Sequence, residues 1–215
     1  MRLFGRSAAE RPAPAGPLRL HIGCGQQAIA GWINVDNQAL PGVDRVLDVR
    51  SGLPFRGVAS IYAEHFLEHL TLDEGLAFLR ECRQALAPSG ILRLSTPNLD
   101  WVFLTHYRCD RWSQDEEAWT DCVRLNRAFH GWGHQFLYNR QTLVAALRSA
   151  GFAATRFHRY GESDVPELRG LERHAASPDV PELPHVLIVE ATGAAPGERF
   201  PEALLEEYRR DVAAR

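Results

Sequence analysis

The feature that most constrains the fold is a short alternating strand that runs directly into a tight glycine turn. Apolar residues stand at positions 18, 20 and 22, and Gly23-Cys24-Gly25 follows at once. The alternation predicts a half-buried β-strand, and the paired glycines predict a sharp turn. In open α/β sheets, a turn at the carboxyl end of the first strand borders the ligand-binding crevice. A purely structural tight turn is the alternative, because Gly-x-Gly alone is a weak signal.

The rest of the first half alternates short strands with a helix. Thr71 and Glu74 have the spacing of a capping box, an apolar stripe follows them, and Pro88-Ser89-Gly90 ends the helical pattern. Strands separated by helices pair in parallel through right-handed crossovers, so the first half is predicted to be a doubly wound α/β sheet. Further strands are predicted at 32–36, 45–49, 59–63 and 91–95.

The second half carries two more predicted strands and three predicted helices. Ser113 and Glu116 have capping-box spacing before a helix that carries Trp119, Cys122 and Val123. Asn139 is expected to cap the next helix. The strands are predicted at 155–160 and 185–190, and the last helix presents a stripe at every fourth position, formed by Phe200, Leu204, Tyr208 and Val212.

These patterns divide the chain into three parts. Residues 1–17 are predicted to be a disordered tail, because they are rich in Arg, Ala, Pro and Gly and lack an apolar core. Residues 18–192 form the α/β domain, with insertions at 99–139 and 161–184 on the substrate side. Residues 193–215 form the C-terminal amphipathic helix, whose simplest role is packing on the domain, with a dimer contact as the alternative.

Composition narrows the classes of partner. The 215 residues carry a net charge of −3 with a pI near 6.3, which gives no electrostatic reason to expect nucleic acid. No apolar stretch approaches the length of about 18 residues that spans a membrane. The four cysteines show no CxxC spacing, so reduced thiols and a cytoplasmic location are expected. A small-molecule partner is expected in place of nucleic acid or a membrane, and the protein is expected to be a monomer or a homodimer.

Two acidic residues stand at the ends of the second and third predicted strands, at the same edge as the turn. Asp36 is suited to accept hydrogen bonds from two ribose hydroxyls, and Asp48 from an adenine amine. The three-glycine fingerprint for dinucleotides is incomplete, since Ala28 occupies the position of its third glycine. This set favours an adenosine ligand without a pyrophosphate over a nicotinamide dinucleotide.

The ordered motifs resemble those of class I, Rossmann-like S-adenosylmethionine-dependent methyltransferases, in particular small bacterial ones. The resemblance spans about residues 18–192. It rests on the glycine turn and on five further segments, namely 31–36, 48–49, 53–55, 64–69 and 86–90, and on the close of a later helix at 147–152. It implies a seven-stranded, mostly parallel sheet with an antiparallel last strand, helices on both faces, and S-adenosylmethionine as the cofactor.

The resemblance also implies roles for individual residues at the cofactor site. Gly23 and Gly25, with Cys24 between them, would lie against the methionine part of the cofactor. Asp36 would bind the ribose, and Asp48 with the backbone of Val49 would hold the adenine. Ala63, Glu64 and His65 would border the sulfonium. His21 and Gln27 depart from the common pattern of relatives, so the methionine contacts are expected to differ in detail.

Methyl transfer from a sulfonium is an in-line displacement, and a hydroxyl acceptor usually also needs a base. His65, His130 and His134 are the candidates for that base, since a neutral imidazole is abundant near pH 7. His130 and His134 flank Trp132 and two glycines, as a mobile lid would, although either ring could simply satisfy a backbone carbonyl. No metal is predicted, because the glycines disfavour a helix that would align the two histidines. His69 is expected to pack or cap beside the fourth strand.

The acceptor is expected under the two insertions, in contact with Trp132, Tyr138, Arg169, Glu172 and His174. The charged members could equally form a solvated cluster in a loop. Trp101, Trp112 and Trp119 are further candidates for a stacking wall, with Trp119 better suited to helix packing. The predicted function is methylation of a small molecule, with oxygen of a saccharide or another polar metabolite favoured. A nicotinamide-dependent oxidoreductase and a non-catalytic S-adenosylmethionine-binding protein are the alternatives.

Overall fold

The computed structural model describes residues 16–106, 115–174 and 183–213, which are built around one seven-stranded mixed sheet. The strand order is β3-β2-β1-β4-β5-β7-β6, and β7 runs antiparallel to both of its neighbours while the other pairs are parallel. The predicted α/β fold with an antiparallel last strand is confirmed. The strands are β1 (Arg19–Ile22), β2 (Ile33–Asp36), β3 (Arg45–Val46), β4 (Val58–Glu64), β5 (Leu86–Pro97), β6 (Ala154–His158) and β7 (Val186–Thr192).

Five α-helices accompany the sheet in the described part of the chain. They are α1 (Leu72–Ala85), α2 (Leu99–His106), α3 (Asp115–His130), α4 (Arg140–Ser149) and α5 (Glu202–Tyr208), the last continued by a π-helical turn at Arg209–Ala213. Within these described ranges, no helix combines the length and apolar character needed to cross a membrane. Residues 1–15 of the predicted tail lie outside the described residues. The predicted cap at Ser113 lies outside them as well.

Two helix starts follow the predicted caps. The Thr71 hydroxyl accepts from the Glu74 backbone N–H, and the Glu74 carboxylate accepts from the Thr71 N–H, so both halves of the capping box form. Asn139 Oδ1 accepts from the Thr142 N–H at the start of α4. The end of α1 comes at Ala85, earlier than predicted, because Pro88 favours extended backbone before it and β5 begins at once.

The core lies between the sheet and the helices α1 and α4. Leu20 and Ile22 of β1 are fully buried, as are Leu79 of α1 and Leu147 of α4. Burying a side chain of this size stabilises the fold by about 1.5–3 kcal/mol. The β1 strand lies between β2 and β4, so this packing holds the first strand, and the turn that follows it, in a fixed position.

Three local predictions are wrong. The β3 strand ends at Val46, because Asp48 caps the 3₁₀ turn Val49–Ser51 instead of continuing the strand. Trp119 of α3, predicted to pack between helices, is 73% exposed, and α3 packs on α2 through its opposite side. In the C-terminal helix, Leu204 belongs to the predicted apolar stripe but is 59% exposed. The apolar contacts with the core are made by Phe200, Leu205 and Tyr208.

Candidate active site

The glycine turn is tied to the end of β2 through the carboxylate of Asp36. The Gly25 N–H donates to Asp36 Oδ2 over 2.8 Å, and the Gln38 N–H donates to Oδ1 over 2.9 Å. A carboxylate has about four acceptor positions, so each oxygen keeps one for a ligand. The first acidic residue of the predicted site therefore shapes the turn and remains able to accept from hydroxyl groups.

The two glycines of the turn serve different purposes. Both adopt left-handed backbone, with φ of +65° at Gly23 and +50° at Gly25. A Cβ on Gly23 would lie 2.3 Å from Cδ2 of Phe66, whereas a Cβ on Gly25 would meet nothing within 4 Å. Gly23 thus makes room for a side chain of the protein itself, and Gly25 borders open space.

A cavity of about 390 Å³, here called the turn cavity, opens beside this turn. Five of the nine predicted cofactor residues line it, and Phe66, His69 and Leu70 complete the side nearest β4. The cavity lies at the carboxyl ends of the first three strands, where open α/β sheets bind ligands. The five predicted residues in its lining are Gly23, Asp36, Asp48, Val49 and His65.

The second acidic residue at this edge is engaged by an arginine. Arg50 donates from Nε and its terminal nitrogen to both oxygens of Asp48, at 2.6–3.0 Å. These hydrogen bonds hold the pKa of Asp48 below its usual range. Asp48 is half-exposed and charged, and it lines the turn cavity with both of its oxygens engaged by Arg50, whose backbone N–H also donates to Oδ1.

The other four predicted cofactor residues stand around the turn cavity rather than in its lining. Gly25 borders open space next to it. Cys24 is buried between β1 and β2, which raises the pKa of its thiol to about 11, and Ala63 is buried within β4. Glu64 faces the loop after β6: its Oε1 accepts the backbone N–H groups of Arg173 and His174.

A second cavity of about 550 Å³ adjoins the first and is here called the histidine cavity. Two of its residues, His65 and His69, also line the turn cavity, so they stand at the boundary between the two. Trp101, Val102 and Leu137 give it an apolar wall. Its six histidines are His65, His69, His106, His134, His174 and His185.

His65 is held by a buried carboxylate at this boundary. Its Nδ1 lies 2.9 Å from Oε1 of Glu68, a fully buried side chain whose Oε2 accepts from the Thr96 hydroxyl. Burial alone would lower the pKa of His65, but the hydrogen bond and charge of Glu68 raise it overall. A carboxylate oxygen accepts, so Nδ1 carries the hydrogen, and in the neutral ring Nε2 keeps its lone pair. This is the arrangement of an oriented proton acceptor.

Backbone strain is concentrated at the histidine cavity. Among the described residues, only His65 and Trp132 combine a side chain with a clearly left-handed φ, at +45° and +57°, and both line this cavity. Such conformations are costly for bulky residues and cluster at functional sites. The Trp132 ring is largely exposed at the edge of the cavity, and the Arg127 guanidinium stacks over it at 5.5 Å.

The remaining histidine candidates occupy different places. His134 lines the histidine cavity, and its Nδ1 lies 2.7 Å from the carbonyl oxygen of Ala128, the contact that would satisfy a backbone group. His174 also lines the cavity, with its ring 4.4 Å from that of His65. His130 ends α3 as an exposed residue and is not part of the lining. The structure therefore brings His65, His134 and His174 together and leaves His130 apart.

Three predicted acceptor contacts need correction. Tyr138 is fully buried in the main core. Glu172 is buried in an ion pair with Arg93, 2.8 Å away, because a charge taken out of water must be paired. Arg169 donates to the Ser163 carbonyl and lines a separate cavity of about 1,170 Å³ beside β6, which shares no residue with the other two. Arg169 and Glu172 support the 161–174 loop, and none of the three residues lines the histidine cavity.

Several residues of the cavities carry no role in the sequence-based prediction. His69, predicted to pack or cap beside the fourth strand, packs its ring on that of His134 and also lines both cavities. Glu68 acts through its contact with His65. The i, i+3 spacing of these two residues on a turn is the sequence signal that could have indicated the contact. Arg124 and Arg127 line the histidine cavity, as do Trp101 and Trp132 from the predicted wall. Trp119 lines neither of these two cavities, and Trp112 lies outside the described residues.

Comparison with solved structures shows the same architecture. An S-adenosylmethionine-dependent methyltransferase from Mesorhizobium loti aligns with 85% of this chain and 94% of its own, at 19% identity and a TM-score of 0.52. The fold is that of class I methyltransferases. The S-adenosylmethionine-dependent methyltransferase SibL, in its apo form, aligns with 83% of this chain at 13% identity and a TM-score of 0.52, and this chain spans 50% of its length. No family model and no curated protein matches the sequence.

Within the class I methyltransferase fold, the turn cavity lies at the edge where β1, β2 and β3 end. The histidine cavity extends from it past the end of β4 towards α2, α3 and the start of β7. The two cavities adjoin at His65 and His69, which line both of them.

Proposed function

We propose that this protein is an S-adenosylmethionine-dependent methyltransferase that acts on a small molecule. One observation carries the proposal: two adjoining cavities share His65 and His69, one beside the glycine turn and the other lined by tryptophans, arginines and histidines. A cofactor in the first and an acceptor in the second would meet at these two residues. The fold shared with known methyltransferases supports the proposal.

The cofactor would occupy the turn cavity. Asp36 keeps free acceptor positions for ribose hydroxyls, and Asp48, which lines the same cavity, would accept from an adenine amine in exchange for one of its hydrogen bonds to Arg50. Val49 lines the same cavity and contributes apolar surface to the base. The methionine part would follow the turn at Gly23 and Gly25, which directs the sulfonium towards His65.

Oxygen of a polar metabolite, such as a saccharide, is the favoured acceptor. The acceptor hydroxyl would lose its proton to Nε2 of His65 while the oxygen attacks the methyl carbon. The bond between sulfur and the methyl carbon then breaks, which yields S-adenosylhomocysteine and the methylated product. Glu68 stabilises the imidazolium formed in this step through the hydrogen bond to Nδ1.

The proposal is tested by calorimetric titration with S-adenosylmethionine, S-adenosylhomocysteine and NAD. We expect binding of both sulfur ligands and none of NAD. A panel of hydroxylated small molecules, with saccharides among them, would then be screened for formation of S-adenosylhomocysteine. NAD binding without binding of the sulfur ligands would overturn the proposal in favour of an oxidoreductase. Binding of the sulfur ligands without turnover on any acceptor class would favour a non-catalytic binding protein.

A further inference from the structure

A cluster of metal-ligating side chains lies at the boundary between the two cavities. Glu68 and His69 come from the turn after β4, and His134 comes from the segment that follows the 3₁₀ turn Gly131–Gly133. One ligand atom of each residue lies within 4.8 Å of the other two. A tetrahedral ion holds its ligand atoms roughly 3.4 Å apart, so small side-chain rotations bring all three onto one ion.

The hydrogen bonds around the cluster orient its members as metal ligands. The Ala128 carbonyl can only accept, so His134 Nδ1 must carry the hydrogen and its Nε2 lone pair is available. Glu68 receives hydrogen bonds from His65 and Thr96, one on each oxygen, which fix the plane of the carboxylate. In metal sites, the ligands are held in place by hydrogen bonds of this kind: a histidine donates to a carbonyl, and a carboxylate accepts from nearby donors.

The charge of Glu68 gives a second, independent reason for a cation. Its side chain is fully buried, and the one ion-pair partner that the described residues offer it is the His65 ring. Thr96 adds a neutral hydroxyl. A buried carboxylate is costly unless a positive charge compensates it, and the two arginines of the histidine cavity make no ion pair with Glu68. A divalent ion between Glu68, His69 and His134 would compensate this charge whenever the His65 ring is neutral.

We propose that Glu68, His69 and His134 bind one divalent transition-metal ion of the zinc type. Two imidazoles and one carboxylate suit zinc and its neighbours, whereas magnesium and calcium prefer sites made of oxygen alone. Three protein ligands leave a position open, as in catalytic zinc sites. His69 and His134 both line the histidine cavity, so the open position faces the place of the acceptor.

An ion in this position would hold the acceptor oxygen next to the methyl group and favour its deprotonated form. This role rests on the proposed function, whereas occupancy of the site does not. The sequence-based prediction of no metal considered the pair His130 and His134. The structure instead pairs His134 with two residues from a turn more than 60 positions earlier in the chain.

The test is zinc binding by the full chain, freed of any affinity tag and stripped with a chelator. Competition with a chromophoric chelator would give the affinity. We expect one Zn²⁺ per chain, at least about 100-fold weaker binding in His69→Gln and His134→Gln, and no competition by Mg²⁺. His130→Gln is the matched control and should bind as the wild type does, because its ring lies outside the cluster.

Two further measurements keep the outcome decisive. X-ray absorption of the zinc-loaded wild-type protein should show nitrogen and oxygen ligands with two imidazoles, a result that needs no variant to fold. Titration of each variant with S-adenosylhomocysteine separates loss of the metal site from loss of the fold or of the proposed cofactor site. Absence of stoichiometric zinc binding, a sulfur ligand, or wild-type affinity in both histidine variants would overturn the proposal.

Discussion

The backbone N–H of Gly25 donates a 2.8 Å hydrogen bond to the carboxylate of Asp36, so one side chain both fixes the glycine turn and faces the turn cavity. Asp36→Ala should therefore weaken binding of S-adenosylhomocysteine at least tenfold, through loss of a ligand contact and of the turn geometry together. Isothermal calorimetry measures this change. A hydrogen bond to a charged group contributes about 1.5–3 kcal/mol, and its loss therefore lowers the affinity by about tenfold or more.

Asp211→Ala is the control for this prediction, because Asp211 is exposed near the C-terminus and pairs with its neighbour Arg210. Its affinity should match that of the wild type. An Asp36→Ala protein that is folded and binds S-adenosylhomocysteine with unchanged affinity would show that the cofactor does not use this edge of the sheet.

His65→Gln should slow methyl transfer by about 100-fold or more, the usual range for loss of a positioned proton acceptor. The measurement is the single-turnover rate of S-adenosylhomocysteine formation with the best acceptor from the screen. His130→Gln should keep the wild-type rate, since the exposed His130 ring is not part of either cavity described here. Equal rates in His65→Gln and the wild type would assign the base elsewhere, and acceleration of His65→Gln by added imidazole would support the assignment.

Local sequence signals predicted the parts of this fold that depend on neighbouring residues. The alternation before Gly23 and the Thr71–Glu74 spacing each encode a hydrogen-bonding or burial pattern within a few positions, and both elements form. The packing of Trp119 in α3 was predicted wrongly, because a large apolar side chain on a helix favours burial but does not tell which side of the helix packs. Trp119 has the spacing of a core residue and is nevertheless exposed.

The candidate site was predictable only where it follows the strand ends. Asp36 and Asp48 end or follow parallel strands, so the topology alone brings them to the same edge. His69 and His134 are 65 positions apart, and their rings meet at 5.2 Å only because the segment after α3 returns to the turn after β4. No spacing rule encodes that return. The pairing of Glu172 with Arg93 is hidden for the same reason, since it joins a loop to a central strand.

Arg93→Ala should destabilise the protein by about 3–5 kcal/mol, because it leaves Glu172 and Glu190 buried without their cation. The Arg93 side chain is fully buried, 2.6–2.8 Å from both carboxylates, and it also donates to the Glu162 carbonyl. Urea unfolding monitored by circular dichroism gives the free energy of unfolding. Glu167→Ala removes a surface ion pair with Arg19 and should cost less than about 1 kcal/mol. Equal losses in the two variants would contradict a special role for the buried network.

The last prediction concerns pH and His21, a buried residue of β1 whose Nδ1 lies 3.3 Å from Oδ1 of Asn34. Burial lowers its pKa from 6.5 to about 4, against the opposing effects of the Asn34 hydrogen bond and the charge of Glu64. Between these two values the unfolded chain binds a proton that the folded chain does not, so the free energy of unfolding must fall as the pH falls. Between pH 7 and pH 5, the free energy of unfolding falls by about 2 kcal/mol because of this residue.

The variant His21→Gln keeps a donor for Asn34 but cannot titrate. Its free energy of unfolding should therefore decrease by about 2 kcal/mol less than that of the wild type over this interval. Urea unfolding of both proteins at pH 7 and pH 5 measures the difference, and parallel decreases would show that His21 is not the residue responsible.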